Sequence, residues 1–406
     1  MTTTAPPVAY RGSVKDVLGP VTAQGLKGAP VSATVFRYMD TFSVFDWGRM
    51  PDHLARKGSA LAVLAADLFE RLENPNAWRE FSKTPEAQSL RRGSTLLQTD
   101  TSVFNELGEK LQNTGLRTHY LGIFDGEDFP PGAIPSKQLS TAQEKLQDKI
   151  RYLVVKHVDV IRPQFKKILG RMVPDYQEYR AAKGPKLVPL EVVFRFSAPP
   201  GSSLFDRMPG LQPGTEFEFP ILELFTKLEP SDRFVSFSEA LSLTGLKTEL
   251  LQELMLRTAW VAGFLKSLTR KAGLELADGK LEWGLTESGE LMLVDAIGPD
   301  ELRLMVGGVE KGLQLSKEFL RQAYRPTTWY QAVQDGKKEA AAKGYSDWKR
   351  FVKETPPALS PAKKELATQL YLVLTNAITG KAWFSDSWSL ERLLESMREQ
   401  NKGSAS

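Results

Sequence analysis

The segment Leu276–Arg303 constrains the fold of this chain more than any other, because its pattern predicts two adjacent β-strands. Two apolar runs flank Thr286-Glu287-Ser288-Gly289, which has the composition of a tight turn. We therefore predict a β-hairpin whose turn is centred between Ser288 and Gly289. In that register, Glu282 on the first strand lies directly opposite Asp295 on the second.

This pairing predicts a site that binds a cation. Directly opposed residues hold their Cβ atoms about 5 Å apart, and carboxylates that close repel each other unless a proton or a cation lies between them. Lys280 lies on the same face as Glu282 and adds a positive charge. Oxygen ligands from two strands suit Mg²⁺ that holds the phosphates of a nucleotide. A hairpin with a solvated polar face explains the same pattern without a metal, so both interpretations stay open.

Composition excludes several classes of function. The chain has 406 residues, of which 41% are hydrophobic and 25% charged, as in ordinary globular proteins of two or three domains. Its net charge of +4 is spread along the chain, so it does not indicate a nucleic-acid partner. Because cysteine is absent, disulfides, thiolate catalysis and cysteine metal sites are excluded.

The sequence also lacks the signals of a membrane or secreted protein. Residues Met1–Tyr10 are rich in Thr and Pro and contain no apolar signal core. No run of about 18 apolar residues occurs. We therefore expect a cytoplasmic protein without a membrane partner.

Apolar periodicity predicts helices and strands in mixed order. Residues Asn76–Asp100 are polar and mixed and predict no clear element. The predicted helices are Arg56 to Asn74, Val103–Leu111, Glu249–Arg270, Ser316–Tyr324, Ala362–Ile378 and Ser389–Gln400, and the predicted strands include Arg151–Ile161, Val188–Phe196 and Phe217–Leu228.

Common catalytic motifs are missing from the sequence. It contains no Gly-x-Ser-x-Gly elbow, Walker loop or dinucleotide fingerprint. Its histidines, His53, His119 and His157, are far apart and lack metal-ligand spacing.

Short motifs spread along the chain nevertheless occur in a characteristic order. They are Tyr10-Arg-Gly-Ser-Val-Lys15, the spaced residues Asp40, Ser43 and Asp46, Arg56-Lys-Gly58, Thr118-His119, Val188-Pro-Leu-Glu191 with Arg195 and Gly201-Ser202, Leu276-Ala-Asp-Gly-Lys-Leu-Glu-Trp-Gly284, and Asp295 with Pro299, Asp300 and Arg303. In this order the chain resembles the SAICAR synthetase (phosphoribosylaminoimidazole-succinocarboxamide synthase) family over roughly residues 10–325.

The resemblance implies an α+β, ATP-grasp-like fold with ATP between two lobes. It also implies a ligase of purine biosynthesis, in which ATP phosphorylates a substrate carboxylate and an amine displaces the phosphate to form an amide. The parent substrates are carboxyaminoimidazole ribotide and L-aspartate. The implied cofactors are ATP and Mg²⁺.

The resemblance assigns roles to individual residues. Those implied to bind ATP are Gly12, Lys15, Lys280 and Glu282; those implied to be catalytic are Asp278 and Lys280; those implied to bind the substrate are Arg195, Gly201, Ser202, Asp300 and Arg303; and those implied to hold the metal are Glu282 and Asp295.

The chain departs from the family pattern mainly near the substrate end. Ser13 replaces a lysine, Ala296 an acidic residue, Gly298 a serine or threonine, and Leu302 a small polar residue. Three hypotheses therefore stay open: a true SAICAR synthetase, an offshoot that ligates different substrates, and a non-catalytic nucleotide-binding or interaction protein.

The resemblance also divides the chain into three parts. We predict a nucleotide-binding lobe at 1–187 with inserts near 123–150 and 162–186, a lobe with metal and substrate residues at 188–333, and a helical extension at 334–406. The sequence leaves the oligomeric state open, a homo-oligomer included.

Overall fold

A computed structural model describes residues 6–24, 30–95, 101–126, 129–130, 132–142, 150–169, 171–343, 345 and 347–403. Within these ranges the chain forms two large antiparallel sheets, one separate β-hairpin, and helices packed around them. This arrangement confirms the predicted α+β class. No helix in these ranges is long and apolar enough to cross a membrane.

The first sheet consists, in the described residues, of five strands: β1 (Val8–Arg11), β2 (Lys15–Gln24), β3 (Pro30–Tyr38), β4 (Tyr120–Phe124) and β5 (Tyr152–Lys156). Their spatial order is β1-β2-β3-β5-β4, and every neighbouring pair is antiparallel. Phe129 and Ile134 are buried in an apolar cluster on this sheet. They belong to the predicted insert near 123–150, so this insert contributes to a core; its residues 127, 128, 131 and 143–149 lie outside the described ranges.

The second predicted insert, 162–186, contains a separate hairpin. Its strands are β6 (Gln164–Ile168) and β7 (Arg171–Asp175), which pair with each other. Every residue of β6 is exposed. The insert continues into the short helix α5 (Gln177–Ala181).

The second sheet carries seven strands in the described part of the chain: β8 (Lys186–Ser197), β9 (Glu216–Thr226), β10 (Phe234–Val235), β11 (Glu275–Leu285), β12 (Leu291–Val294), β13 (Leu302–Val306) and β14 (Leu313–Gln314). Strand β11 pairs with β8 along most of its length, with β13 through its first half and with β12 through its second half. β11 is therefore central to this sheet.

Ten further helices surround the sheets in the described residues. They are α1 (Lys57–Glu73), α2 (Pro75–Ser82), α3 (Pro85–Ser94), α4 (Thr101–Thr114), α6 (Phe237–Thr244), α7 (Thr248–Lys271), α8 (Lys317–Tyr324), α9 (Thr328–Lys343), α10 (Pro361–Thr379) and α11 (Leu390–Gly403). All six predicted helices are confirmed within a few residues at each end.

Helices α2 and α3 were not predicted, although their start signals are present. Each begins with a proline directly after a capping residue, an arrangement that favours helix initiation. The Asn74 side chain accepts a hydrogen bond from the backbone N–H of Asn76, and the Thr84 side chain accepts one from Ala87. Much of the surface of both helices faces solvent, so their composition is polar. This polar composition gave no apolar period from which the helices could be predicted.

The C-terminal helices are built into the main core. Buried residues of α10, such as Leu370 and Leu374, belong to the same apolar cluster as those of α1. The Thr375 hydroxyl donates to the Ala60 carbonyl oxygen at 3.1 Å, and Arg71 donates to the Thr379 carbonyl oxygen at 2.7 Å. Helix α10 of the predicted extension thus shares one core with helix α1, while the boundaries at 187 and 333 stay predictions.

Candidate active site

Strand β11 presents a row of charged side chains on one face. Alternation places Asp278, Lys280 and Glu282 on the same side of the strand. The partner strand β8 pairs Arg195 with Asp278 and Glu191 with Glu282. The opposite face of β11 packs on helix α7, so the polar row is held by a buried apolar layer.

The predicted direct opposition of Glu282 and Asp295 is wrong by one residue. Glu282 pairs with Val294, and Asp295 follows the end of β12. The connecting loop has three central residues and not two, because the backbone N–H of Thr286 bonds to the carbonyl oxygen of Glu290. Gly289 takes a positive φ of 79° there, as in three-residue hairpin loops that end in a left-handed residue. The extra loop residue shifts the register of the two strands by one residue, so Glu282 pairs with Val294 instead of Asp295.

The two carboxylates nevertheless belong to one charged cluster. The Lys15 amine donates to the Asp295 carboxylate, and the Lys227 amine donates to Glu282 at 2.5 Å. Lys280 Nζ lies 2.8 Å from a Glu191 oxygen and 3.5 Å from a Glu282 oxygen. Lys15 and Asp295 thus join Lys280 and Glu282, as the resemblance implies.

The charged groups of this cluster shift one another's pKa values. Burial, followed by repulsion from Asp295, raises the pKa of Glu282. Burial alone would also raise the pKa of Asp295, but Lys15 and then Lys227 lower it below its usual value. Burial would lower the pKa of Lys280, and Glu282 and Glu191 raise it well above the ordinary range instead. Lys280 therefore stays charged and compensates Glu282 and Glu191.

Lys227 is a member of this cluster that sequence reasoning did not assign to the site. It directly follows the end of β9, and the sequence placed it only near the end of the predicted strand Phe217–Leu228. Its contact with Glu282 depends on how β9, β8 and β11 are ordered in the sheet, which the local pattern does not reveal.

Glu282 and Asp295 fit a Mg²⁺ ion that is shared with a phosphorylated ligand. Within the described residues, no group of three or more histidine or acidic side chains is arranged to hold a metal alone. Mg²⁺ is commonly held by one or two carboxylates, with water and substrate phosphates as its other ligands. The lysine amines at both carboxylates show that this place favours positive charge.

A second charged row runs across the sheet, from β9 through β8 and β11 to β13, and includes Asp278. Arg195 Nε lies 2.6 Å from Glu223, and its Nη1 lies 3.3 Å from Asp278. Arg303 Nε lies 3.4 Å from the other Asp278 oxygen. Negative and positive side chains therefore alternate across strands β9, β8, β11 and β13, and Asp278 orients two arginines at once.

The turn after β8 adds hydroxyl groups and another arginine to this row. The hydroxyls of Ser202 and Ser203 lie 3.5 and 3.2 Å from the Arg195 guanidinium. Gly201 precedes them with a positive φ of 78°. Arg207, which sequence reasoning missed, lies 2.5 Å from Glu223 and 3.4 Å from Ser203. Guanidinium groups beside hydroxyls form a good phosphate-binding arrangement.

Gly12 shapes the loop that presents Lys15. Its backbone N–H donates to the Lys15 carbonyl oxygen at 3.1 Å. A Cβ atom at this position would lie 2.3 Å from the same oxygen, so the turn requires glycine. A contact between Gly12 and a nucleotide stays a prediction.

Both oxygens of the Asp300 carboxylate have hydrogen-bond partners within the protein. One carboxylate oxygen accepts from the fully buried Lys57 amine at 3.0 Å and the other from the Tyr371 hydroxyl at 2.7 Å. Burial would raise its pKa, but Lys57 and then Lys317 lower it to about 2. Its predicted contact with substrate stays a prediction.

His119 supports the backbone beside the charged cluster of Lys15, Lys227, Lys280, Glu282 and Asp295. Its Nε2 atom lies 3.1 Å from the Asp295 carbonyl oxygen, and its ring contacts Phe36 and Phe69. Burial lowers its pKa to about 3, so the imidazole is neutral. Asp295 has a positive φ of 68°, and the His119 contact holds this uncommon conformation.

The sequence profile of the SAICAR synthetase family matches residues 10–336. A protein of Archaeoglobus fulgidus, provisionally named phosphoribosylaminoimidazole-succinocarboxamide synthase, is 31% identical over 404 residues, which cover 96% of this chain and 99% of the relative. The chain belongs to the SAICAR synthetase family. The alignment with the archaeal SAICAR synthetase relative extends past residue 336, since it covers 96% of the chain.

Other SAICAR synthetases support the assignment. The Thermoplasma acidophilum enzyme is 25% identical over 323 residues, which cover 75% of this chain and 90% of that protein. The structure titled SAICAR-synthase from Saccharomyces cerevisiae complexed SAICAR covers 94% of this chain and all of the yeast chain, with 19% identity and a TM-score of 0.54. This likeness establishes a shared fold. SAICAR synthetases are ligases of purine biosynthesis, so the predicted enzyme class is confirmed.

Proposed function

We propose that the protein is an ATP-dependent ligase that joins carboxyaminoimidazole ribotide and L-aspartate to form SAICAR. The observation that carries this proposal is the presence of two polar clusters on one face of β11. One is organised around Asp278 and the other around Lys280 and Glu282. The separation from Asp278 to Glu282 is about 13 Å along an extended strand.

This separation suits a substrate with a phosphate at one end and a reactive carboxylate at the other. Arg195, Arg303 and Ser202 bind the ribotide phosphate, with Arg207 beside them. Asp278 fixes both guanidinium groups through its two oxygens, at 3.3 and 3.4 Å. Loss of this carboxylate would free the arginines to rotate, so Asp278 acts by positioning them.

The other cluster serves the phosphoryl transfer. Lys15, Lys227 and Lys280 neutralise the phosphate oxygens of ATP, and Glu282 and Asp295 hold Mg²⁺. When bound, Mg²⁺ neutralises charge that develops on the phosphate oxygens. Such transfers depend chiefly on positioning and on electrostatic stabilisation.

The two steps balance without a further reactant. A carboxylate oxygen of the ribotide takes the terminal phosphoryl group of ATP, and ADP leaves. The aspartate nitrogen then attacks the acyl carbon, phosphate leaves, and the nitrogen loses its proton. The yeast relative crystallised with SAICAR supports this substrate pair.

The test measures product and ADP together. Purified protein is mixed with Mg-ATP, carboxyaminoimidazole ribotide and L-aspartate, and succinocarboxamide and ADP are quantified in the same samples. We expect equal amounts of both and no product when aspartate is omitted. ADP without amide would contradict the proposal.

A second candidate is a family offshoot that ligates a different carboxylate or amine. Ala296 and Gly298, which stand where the family carries polar residues, favour it. Absence of succinocarboxamide together with saturable ATP binding would support this candidate, and a panel of carboxylates and amines would follow. The cytoplasmic location, the absence of a nucleic-acid partner and any homo-oligomer stay predictions.

A further inference from the structure

The loop Asp40–Met50 follows β3 and has an uncommon backbone conformation at its tip. The backbone N–H of Met50 donates to the Phe42 carbonyl oxygen at 3.0 Å, so the residues between them form a compact turn. At the tip, Phe45 and Asp46 have positive φ values of 55° and 63°. Two successive left-handed residues other than glycine are energetically unfavourable, and they persist only where the surrounding structure holds them.

Helix α9 supplies two of the groups that hold this tip. The ring centroids of Phe45 and Tyr330 lie 4.6 Å apart, and Lys337 Nζ lies 3.0 Å from an Asp46 carboxylate oxygen. The Asp46 side chain is 84% exposed, so solvent weakens this ion pair and the aromatic contact contributes more. The conformation of the tip therefore depends on α9.

A tryptophan beyond α9 adds a third contact with the tip. Trp348 begins a short 3₁₀ helix, Trp348–Phe351. The centroid of its ring lies 6.1 Å from that of Trp47, and Lys337 Nζ lies 4.9 Å from the same centroid. A cation above an aromatic ring is a favourable arrangement. Since Trp348 is half-buried, removal of its ring leaves the main core closed.

The base of the loop holds the turn that leads into β2. The Thr41 hydroxyl donates to the Ser13 carbonyl oxygen at 2.6 Å. Arg49 donates from Nε to the Gly12 carbonyl oxygen at 3.1 Å, and from Nη2 to the Asp16 carboxylate at 2.9 Å. A shift of the loop would therefore shift this turn and the lysine that it presents.

We propose that Tyr330, Lys337 and Trp348 are positioning residues for the phosphoryl-transfer cluster. They hold the loop Asp40–Met50, which in turn sets the position of the Lys15 amine relative to the phosphates of ATP. The inference rests on the proposed function, in which Lys15 neutralises these phosphates. The C-terminal part of the chain thereby acts on the nucleotide site through the loop.

Steady-state kinetics of Trp348→Ala and of the double variant Tyr330→Ala/Trp348→Ala test the proposal. We expect the KM for ATP to rise about twofold to tenfold in the single variant, as when one aromatic pair is lost, and further in the double variant. The KM for the ribotide should rise less, because the arginines assigned to it are held by Asp278. Trp348→Phe keeps an aromatic ring beside Trp47 and should restore most of the affinity for ATP.

The matched control is Trp388→Ala. It removes another half-buried tryptophan of the C-terminal part, whose ring contacts Arg392 of α11. This variant should keep the wild-type KM for ATP. Circular dichroism melting checks that each variant is folded; if the double variant fails to fold, Trp348→Ala and Lys337→Met carry the same test.

Three kinetic results would overturn the proposal. They are an unchanged KM for ATP in the folded variants, an equal rise in the KM values for ATP and ribotide, and a Trp348→Phe variant that behaves like Trp348→Ala.

Hydrogen–deuterium exchange separates this inference from the proposed function, because it needs neither turnover nor a bound nucleotide. Exchange of the backbone amides of residues 10–18 is compared in the wild type, the double variant and Trp388→Ala. If the protein makes no succinocarboxamide, faster exchange of this segment in the double variant alone would still support the role of the three residues in holding the turn. Equal exchange of this segment in the wild type and the double variant would overturn it.

Discussion

At the scale of single residues, Glu282 and Asp295 each carry a negative charge that a lysine compensates. Glu282→Gln and Asp295→Asn keep the shape of the side chain and remove its charge. We expect each to abolish Mg-ATP-dependent turnover, since loss of a direct ligand should cost more than the roughly tenfold to hundredfold typical of residues that only support the ligands. Initial rates across a Mg²⁺ titration measure the effect.

The control for these variants is Glu290→Gln in the hairpin loop, where the carboxylate is exposed. It should match the wild type, and all three variants should melt cooperatively. Full activity in Glu282→Gln or Asp295→Asn at every Mg²⁺ concentration would remove both residues from the metal site.

Glu301 should also link stability to pH. Its pKa rises from an ordinary 4.5 to about 8 in the folded chain, because burial disfavours its charged form. Between these values the folded state binds more protons than the unfolded state, so the free energy of unfolding falls as the pH rises through this window. The stabilisation is complete below about pH 4.5 and is lost above about pH 8.

Urea denaturation at about pH 6 and about pH 9 tests this linkage. We expect the wild type to lose more stability between the two conditions than Glu301→Gln, which has no proton to release at this position. Other titrating groups, such as Glu73, contribute equally to both proteins. Parallel pH profiles for the two proteins would contradict the prediction.

At the scale of elements, helix α10 holds the loop between β12 and β13. Its Tyr371 hydroxyl binds Asp300, whose other oxygen binds Lys57 from α1. We expect Lys57→Met to destabilise the fold by about 3–5 kcal/mol, because it leaves the buried Asp300 carboxylate without its countercharge. Tyr371→Phe should cost less, about 1–3 kcal/mol.

Urea midpoints measure both effects, and the double variant reveals their coupling. Lys364→Met is a matched control, since this lysine of the same helix is 44% exposed and lies 3.5 Å from its partner Asp52. A loss no larger for Lys57→Met than for Lys364→Met would show that the buried pair does not stabilise the loop.

The elements also show what local patterns can and cannot predict. Helices α1 and α7 were predicted almost to the residue, because long amphipathic periods and clear end signals lie within each segment. The hairpin of β11 and β12 was predicted, but its register was wrong. Two-residue and three-residue loops share the same turn composition, and only the Thr286–Glu290 hydrogen bond distinguishes them.

At the scale of the whole molecule, the C-terminal helices are part of the core. Leu366, Leu370, Leu372 and Leu374 of α10 are at most 3% exposed. Each buried leucine contributes roughly 1.5–3 kcal/mol, so together they match a large share of the roughly 5–15 kcal/mol that stabilises a typical domain. A chain that ends at residue 359 should therefore fail to fold cooperatively.

Circular dichroism melting and limited proteolysis check this prediction against a chain that ends at residue 403. The longer chain should behave like the full protein. A cooperative melt and saturable ATP binding in the chain ending at 359 would instead show that the C-terminal helices are an independent addition.

The sequence by itself determined the longer helices, such as α1 and α7, and the polar row of Asp278, Lys280 and Glu282. Amphipathic periodicity in a helix and alternation along a strand are both local properties. The tertiary structure decided which charges meet. Lys15 lies 280 residues from Asp295, Lys227 lies 55 from Glu282, and Tyr371 lies 71 from Asp300. These contacts depend on strand order and on the packing of α10 against α1, which no local pattern encodes.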